Sequence, residues 1–277
     1  MKIGILSPEI SAGTVAELFR KTKAFGFYGM QFNYVSAGIA EMPDTLPGNL
    51  NNEIAAEAAK NGIEIVAVSG TFNMAHPDPA VRQAGIKKFE KIAASCKTFD
   101  CRMITLCTGS RNDYMWAPHR DNNTAEAWND MRAVMEQLLT IASRYDVNLG
   151  MEPEASNIVN TPEKAKKIIE ELKSNRLKII LDPANLFQPG TAKKENANSV
   201  IKNGMELLAP WIGMAHGKDI KEGEGLDFTY PGRGIIDFGF FFDELKKAGY
   251  KDGIILHGIK NEKNIPECLE YIKKRCI

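Results

Sequence analysis

With 277 residues, 35 Lys plus Arg against 35 Asp plus Glu and no formal net charge, the chain can bury a large core and offers no surplus charge to a polyanion. Composition therefore argues against a nucleic-acid partner, and no apolar stretch approaches the roughly 20 residues that span a bilayer, which argues against a membrane. No Ser/Gly/Pro-rich linker divides the sequence, so one domain over residues 1–277 is expected.

The first element is KIGIL (2–6). Its apolar stretch is too short for a secretory signal and runs into a helix start at Thr14, where Glu17 has capping-box spacing. YGMQFNY (28–34) and IEIVAVSGTF (63–72) are the next strands, and the second leads to His76 and then to a helix opened by Asp78-Pro79. RMITLCTG (102–109) precedes a long loop, GSRNDYMWAPHRDNN, carrying Trp116 and His119. Asn123 and Glu126 have capping-box spacing before a helix with Met131, Val134, Met135, Leu138, Leu139 and Ala142 on one face, a stripe read as core.

VNLGME (147–152) is the fifth strand, followed by a helix opened by Thr161-Pro162 with Ile168, Ile169 and Leu172 on its apolar face. LKIILD (177–182), IGMAH (212–216) and GIILH (253–257) complete a set of eight. Most are continuous apolar runs, the pattern of strands covered on both faces in a parallel sheet. Eight strands alternating with helices at this length predict a (β/α)8 TIM barrel. An open doubly wound sheet would show a glycine-rich loop after its first strand, and LSPEISAGT has none. The five cysteines are odd in number and lack zinc-ribbon spacing, so reduced thiols in a cytoplasmic protein are expected.

Four of these runs end on a metal-binding residue: Glu152, Asp182, His216 and His257. In a barrel the carboxyl ends of adjacent strands converge, so two carboxylates and two imidazoles define a divalent-metal site. Mixed oxygen and nitrogen donors favour Mn²⁺ or Zn²⁺, with Mg²⁺ or Co²⁺ also admissible. The four histidines of the chain, His76, His119, His216 and His257, all fall at or beyond predicted strand ends. Glu154 follows Glu152 by two and would share its direction if the strand continued past Pro153. Trp116 is a candidate to stack on a sugar face, and His76 a candidate to hydrogen-bond substrate or support the site.

Through GMEPE, LDPANLF, AHGKD, YPGRGIIDF and the final strand, the sequence resembles the sugar phosphate isomerase/epimerase superfamily, the xylose isomerase-like barrels related to ketose 3-epimerases. The resemblance spans essentially the whole chain and implies a metal-dependent isomerase or epimerase of a small sugar or sugar-like ketose. Proton transfer would then run through a metal-bound cis-enediolate. Those enzymes hold their metal with Glu, Asp, His and Glu; Glu152, Asp182 and His216 match, whereas His257 stands where glutamate is usual. Glu152 is then the candidate base and His257 a ligand or second acid/base group, a pairing that leans towards same-face transfer and thus isomerisation. The resemblance also implies Asn185, Lys218 and Arg233 as substrate-binding residues. Alternatives on the same scaffold are an inosose dehydratase-like lyase and a non-catalytic sugar-binding barrel. The related apurinic endonucleases need a histidine-rich three-metal centre, which this chain does not supply. The expected partner is a small-molecule sugar, with exposed barrel helices leaving room for a homo-oligomer.

Overall fold

Each of the eight apolar runs forms a parallel strand of one closed barrel in the computed structural model, which describes residues 1–276. The strands are β1 (Ile3–Leu6), β2 (Gly29–Phe32), β3 (Glu64–Ser69), β4 (Met103–Leu106), β5 (Asn148–Met151), β6 (Leu177–Leu181), β7 (Ile212–Gly217) and β10 (Ile254–Leu256). Around the barrel each strand pairs with the next, and β10 returns to β1 with Ile3 opposite Ile254 and Ile5 opposite Leu256. The result is a single (β/α)8 barrel domain. The sequence reading did not foresee the short antiparallel ribbon of β8 (Asp219–Ile220) and β9 (Phe228–Thr229), two residues a side, inserted after β7.

Among the described residues eight α-helices clothe the barrel: α1 (Val15–Phe25), α2 (Leu50–Asn61), α3 (Pro79–Cys96), α4 (Ala125–Tyr145), α5 (Pro162–Leu172), α6 (Ala197–Leu208), α7 (Phe238–Lys247) and α8 (Ile265–Lys273). Their starts follow from local chemistry. Thr14 accepts from the Glu17 amide, Asp78 from the Ala80 amide and Thr161 from the Lys164 amide, so orphan donors are satisfied where the sequence places capping side chains. Helix α4 begins one residue later than expected. Its cap is Thr124, which accepts from the Ala127 amide, while Asn123 closes the preceding 3-10 turn. Met131, Val134, Met135, Leu138 and Ala142 are buried, confirming that stripe as core.

The main core lies between helices and strands, and a second, smaller one fills the barrel itself: Ala67, Ile180, Met214 and Ile255. Side chains two apart on a strand share a face, so one step of two residues carries the interior from apolar to polar. Ala67 gives way to Ser69, Ile180 to Asp182, Met214 to His216 and Ile255 to His257. The apolar layer is a packed floor, and the polar layer above it is where chemistry can occur.

The seam between the first and last strands is stitched by one carboxylate. Glu9, just past β1, accepts from the amides of Gly258, Ile259 and Lys260 at 2.6, 3.1 and 3.0 Å. All five cysteines are unpaired, and no helix among the described residues is long and apolar enough to cross a membrane.

Candidate metal centre

Glu152, Asp182, His216 and His257 stand on four neighbouring strands, and one donor atom from each lies within 4.8 Å of all the others. Asp182 and His216 are buried, and the His257 side chain keeps 14% of its surface exposed at the floor of the cavity. His257 Nε2 is 2.8 Å from Asp182 Oδ2, His216 Nδ1 is 3.3 Å from Glu152 Oε1, and the two rings meet edge to face at 4.7 Å. Asp182 Oδ1 meanwhile accepts from the Ala184 amide, so the aspartate also caps the turn that follows β6.

Glu152, His216 and His257 line a small cavity with Asp182 buried behind them, and two carboxylates with two imidazoles are a donor set suited to a divalent transition ion. The tautomer of His216 fits that role. Gln31 on β2 uses its amide nitrogen to donate to Ser69 Oγ at 3.1 Å and Thr105 Oγ1 at 3.0 Å, which leaves its oxygen facing His216 Nε2 at 2.8 Å. His216 therefore donates through Nε2 and presents the lone pair of Nδ1 to the cluster. Gln31 escaped the sequence reading. Its only signal was an amide, one of two with Asn33, inside the run YGMQFNY.

Lys218 reaches the cluster from the end of β7. Its Nζ is 2.6 Å from Asn185 Oδ1 and 3.4 Å from Asp182 Oδ2, and it lies 4.2 Å from the centre of the Phe228 ring on β9. The unexpected ribbon thus forms the wall behind this ammonium. Burial alone would raise the Asp182 carboxyl, but Lys218, His257 and His216 override it and hold the group well below the usual carboxylate range. Burial would likewise lower Lys218, yet Asp182, Glu152 and Glu154 hold its ammonium above the ordinary lysine value. Asn185 completes the chain of contacts by donating to Glu152 Oε1 at 2.7 Å.

Above the cluster opens a cavity of about 170 Å³, lined by residues that include Leu6, Gln31, Asn33, Glu41, Trp116 and Glu154. Burial raises the Glu154 carboxyl, partly offset by Lys218. Trp116 stands at the mouth of the cavity with 42% of its surface exposed.

One family model, that of the xylose isomerase-like TIM barrels, matches residues 19–275. The chain belongs to that family. Solved relatives agree at the level of the fold. A 3-keto-D-glucoside 4-epimerase from E. coli is 19% identical, with 99% of each chain covered and a TM-score of 0.74. A D-tagatose 3-epimerase-like protein is 18% identical over 99% of this chain and 97% of its own, with a TM-score of 0.78. The IOLI protein with a bound zinc atom is 18% identical over 99% of this chain and 96% of its own, with a TM-score of 0.72. No curated protein matches the chain in sequence.

Within this family barrel, two expected substrate contacts are not brought to the cavity. Arg233 pairs instead with Glu267 on α8 and donates through Nε to Tyr230 Oη at 3.1 Å. The cause is Asp219, whose two oxygens accept from the amides of Ile220, Gly232, Gly234 and Ile236 at 2.9 to 3.1 Å and gather the PGRG turn by its backbone. A Cβ at Gly234 would collide with that carboxylate, so the glycines serve the clasp and the arginine is left to the surface. His76 accepts from the Asp78 amide through Nδ1 and contacts Asp113 through Nε2, which spends both ring nitrogens on its own loop region. His119 likewise accepts from the Asp121 amide.

Proposed function

We propose that this protein is a divalent-metal-dependent isomerase or epimerase of a small ketose or sugar-like polyol. The observation that carries the reading is the convergence of Glu152, Asp182, His216 and His257, with donor atoms within 4.8 Å of one another at the carboxyl ends of their strands. The sugar epimerases among the structural neighbours support the choice of substrate.

A divalent ion, Mn²⁺ or Zn²⁺ by preference, held by Glu152, Asp182 and His216, with His257 as fourth ligand where it does not carry a proton, would supply Lewis acidity to a bound carbonyl and its neighbouring hydroxyl. The protein does the rest. Glu152 is the base that takes the acidified proton. Both its side-chain contacts, with Asn185 and His216, fall on Oε1, so Oε2 has no partner among the described residues and is the oxygen available for proton transfer. Asp182 orients His257 through Nε2, leaving Nδ1 to ligate or to carry a proton. Return of the proton by Glu152 to the adjacent carbon relocates the carbonyl, whereas return by His257 from the other side inverts the centre. Lys218 and Asn185 hold substrate oxygens, and Trp116 at the mouth limits the access of water.

The test is metal analysis of the purified protein followed by incubation with ketoses in D2O, read by NMR. Bound metal and solvent deuterium at a carbon next to the carbonyl, both abolished by chelation and restored by Mn²⁺ or Zn²⁺, are expected. Loss of water from the sugar instead would identify a lyase. Neither exchange nor dehydration in any ketose would leave a sugar-binding barrel and overturn the proposal.

A further inference from the structure

The cavity above the cluster carries a charge pattern that bears on what can enter it. Glu41, Glu152 and Glu154 line it and Asp182 lies behind them, against a single ammonium, Lys218, among the described residues of its wall. That ammonium already faces Asp182 and Asn185, so its charge is matched by a buried carboxylate and one N–H is left for a substrate oxygen. With all four carboxylates ionised, a bound divalent ion and Lys218 together would still leave one negative charge in excess. The arginine best placed in sequence to grip an anion, Arg233, is tied to Glu267 on the outer surface, and Arg111 pairs with Asp130 at 2.7 Å outside the cavity wall.

Glu41 is the informative member of this set because it takes no part in the donor cluster. It comes from the loop between β2 and α2, and its Oε1 accepts from Asn33 Nδ2 at 2.9 Å. Its Oε2 has no partner among the described residues. Burial raises this carboxyl and the Asn33 contact opposes the rise, as for a desolvated acceptor that gains from a further donor. A sugar hydroxyl is such a donor; a phosphate or carboxylate oxygen is not.

Resting on the sugar chemistry proposed for this site, we infer that its substrate is an uncharged polyhydroxy ketone, and that Glu41 is a specificity-determining residue that accepts a hydroxyl remote from the carbonyl and turns away phosphorylated or acidic analogues. Discrimination here is as much repulsion of the wrong ligand as attraction of the right one.

Isothermal titration calorimetry of the Mn²⁺-loaded full chain with D-tagatose, D-fructose and their 6-phosphates tests this directly. Free ketoses should bind at least about tenfold more tightly than the phosphates, and Glu41→Gln should lower ketose affinity by roughly 10- to 100-fold, the worth of a hydrogen bond to a charged group. The same substitution should narrow the gap to the phosphates, with Mn²⁺ affinity unchanged as the sign of an intact barrel. Equal or tighter binding of the phosphates, binding of neither class, or full ketose affinity in Glu41→Gln would overturn the inference. Deuterium exchange separates this outcome from the parent proposal. Exchange into a ketose phosphate removes only the claim of an uncharged substrate, whereas absence of exchange in every sugar removes the proton-transfer reading itself.

Discussion

The two halves of the barrel rim are built from different chemistry. The ends of β5, β6, β7 and β10 supply the four potential ligands and Lys218, while the ends of β1 to β4 supply Leu6, Gln31, Ser69 and Thr105, all uncharged. On the first wall, charges sit close enough to shift one another's ionisation; on the second, amide and hydroxyl groups hold one another and His216 in place. Under the proposed function, proton transfer belongs to the first wall and positioning to the second, so a substitution on one should leave a different signature from a substitution on the other.

The sharpest contrast is expected at Glu152. Glu152→Gln keeps the shape and removes the proposed base, so deuterium exchange should fall by about 10²- to 10⁴-fold, the usual worth of a general base. Full exchange in this variant would move the base to another residue. Next in size is Lys218→Met, which leaves the buried Asp182 carboxylate without its ammonium and should cost about 3–5 kcal/mol in urea unfolding. The pH dependence has a definite sign. A depressed folded-state carboxyl contributes stability above its unfolded value, about 3.9, and loses it as pH falls through the folded value. Removal of Lys218 weakens the depression, so acid unfolding of the variant should begin at higher pH than in the parent. An unchanged acid limb would show that the histidines alone hold Asp182 down.

On the uncharged wall, Gln31→Leu should act on the metal rather than on the proton. His216 loses the acceptor that fixes its tautomer, so affinity for Mn²⁺ or Zn²⁺ should drop by roughly 10- to 100-fold. Recovery of turnover at high metal concentration separates this effect from loss of the base. The smallest effect belongs to Arg233→Ala. With its guanidinium outside the cavity, ketose affinity should stay at the parent value, and a marked loss would mean that the loop turns inward on binding.

Much of this division is visible in the amino-acid sequence, and the exceptions share a cause. The strands were legible because both their faces are buried, and the four potential ligands because each ends an apolar run whose direction the strand dictates. Gln31 also obeys strand alternation, yet YGMQFNY holds two amides two positions apart, Gln31 and Asn33, and nothing in the run tells which of them meets a histidine. Glu41 sits nine positions beyond the end of β2 in irregular chain, where no period assigns a direction. His76 and Arg233 show the reverse error. Proximity to a strand end suggested the site for His76 and the family resemblance suggested it for Arg233, but contacts to backbone amides, those of the Asp219 clasp in the second case, leave both side chains elsewhere. The resemblance to sugar isomerases supplied the family but could not show which way a loop side chain turns.

The Glu9 stitch across the seam sets the order of assembly. Strand β1 can pair with β2 early, but its other edge waits for residues 249 to 251 positions away in the chain. Closing so long a loop is the entropically costly and slow step of folding. Glu152, Asp182 and His216 all precede it, whereas His257 stands immediately before the amides that Glu9 captures. The barrel therefore becomes a closed cylinder and the set of four potential ligands becomes complete in the same late event, so under the proposed function the rate of metal capture during refolding should report on the zipping of its final seam.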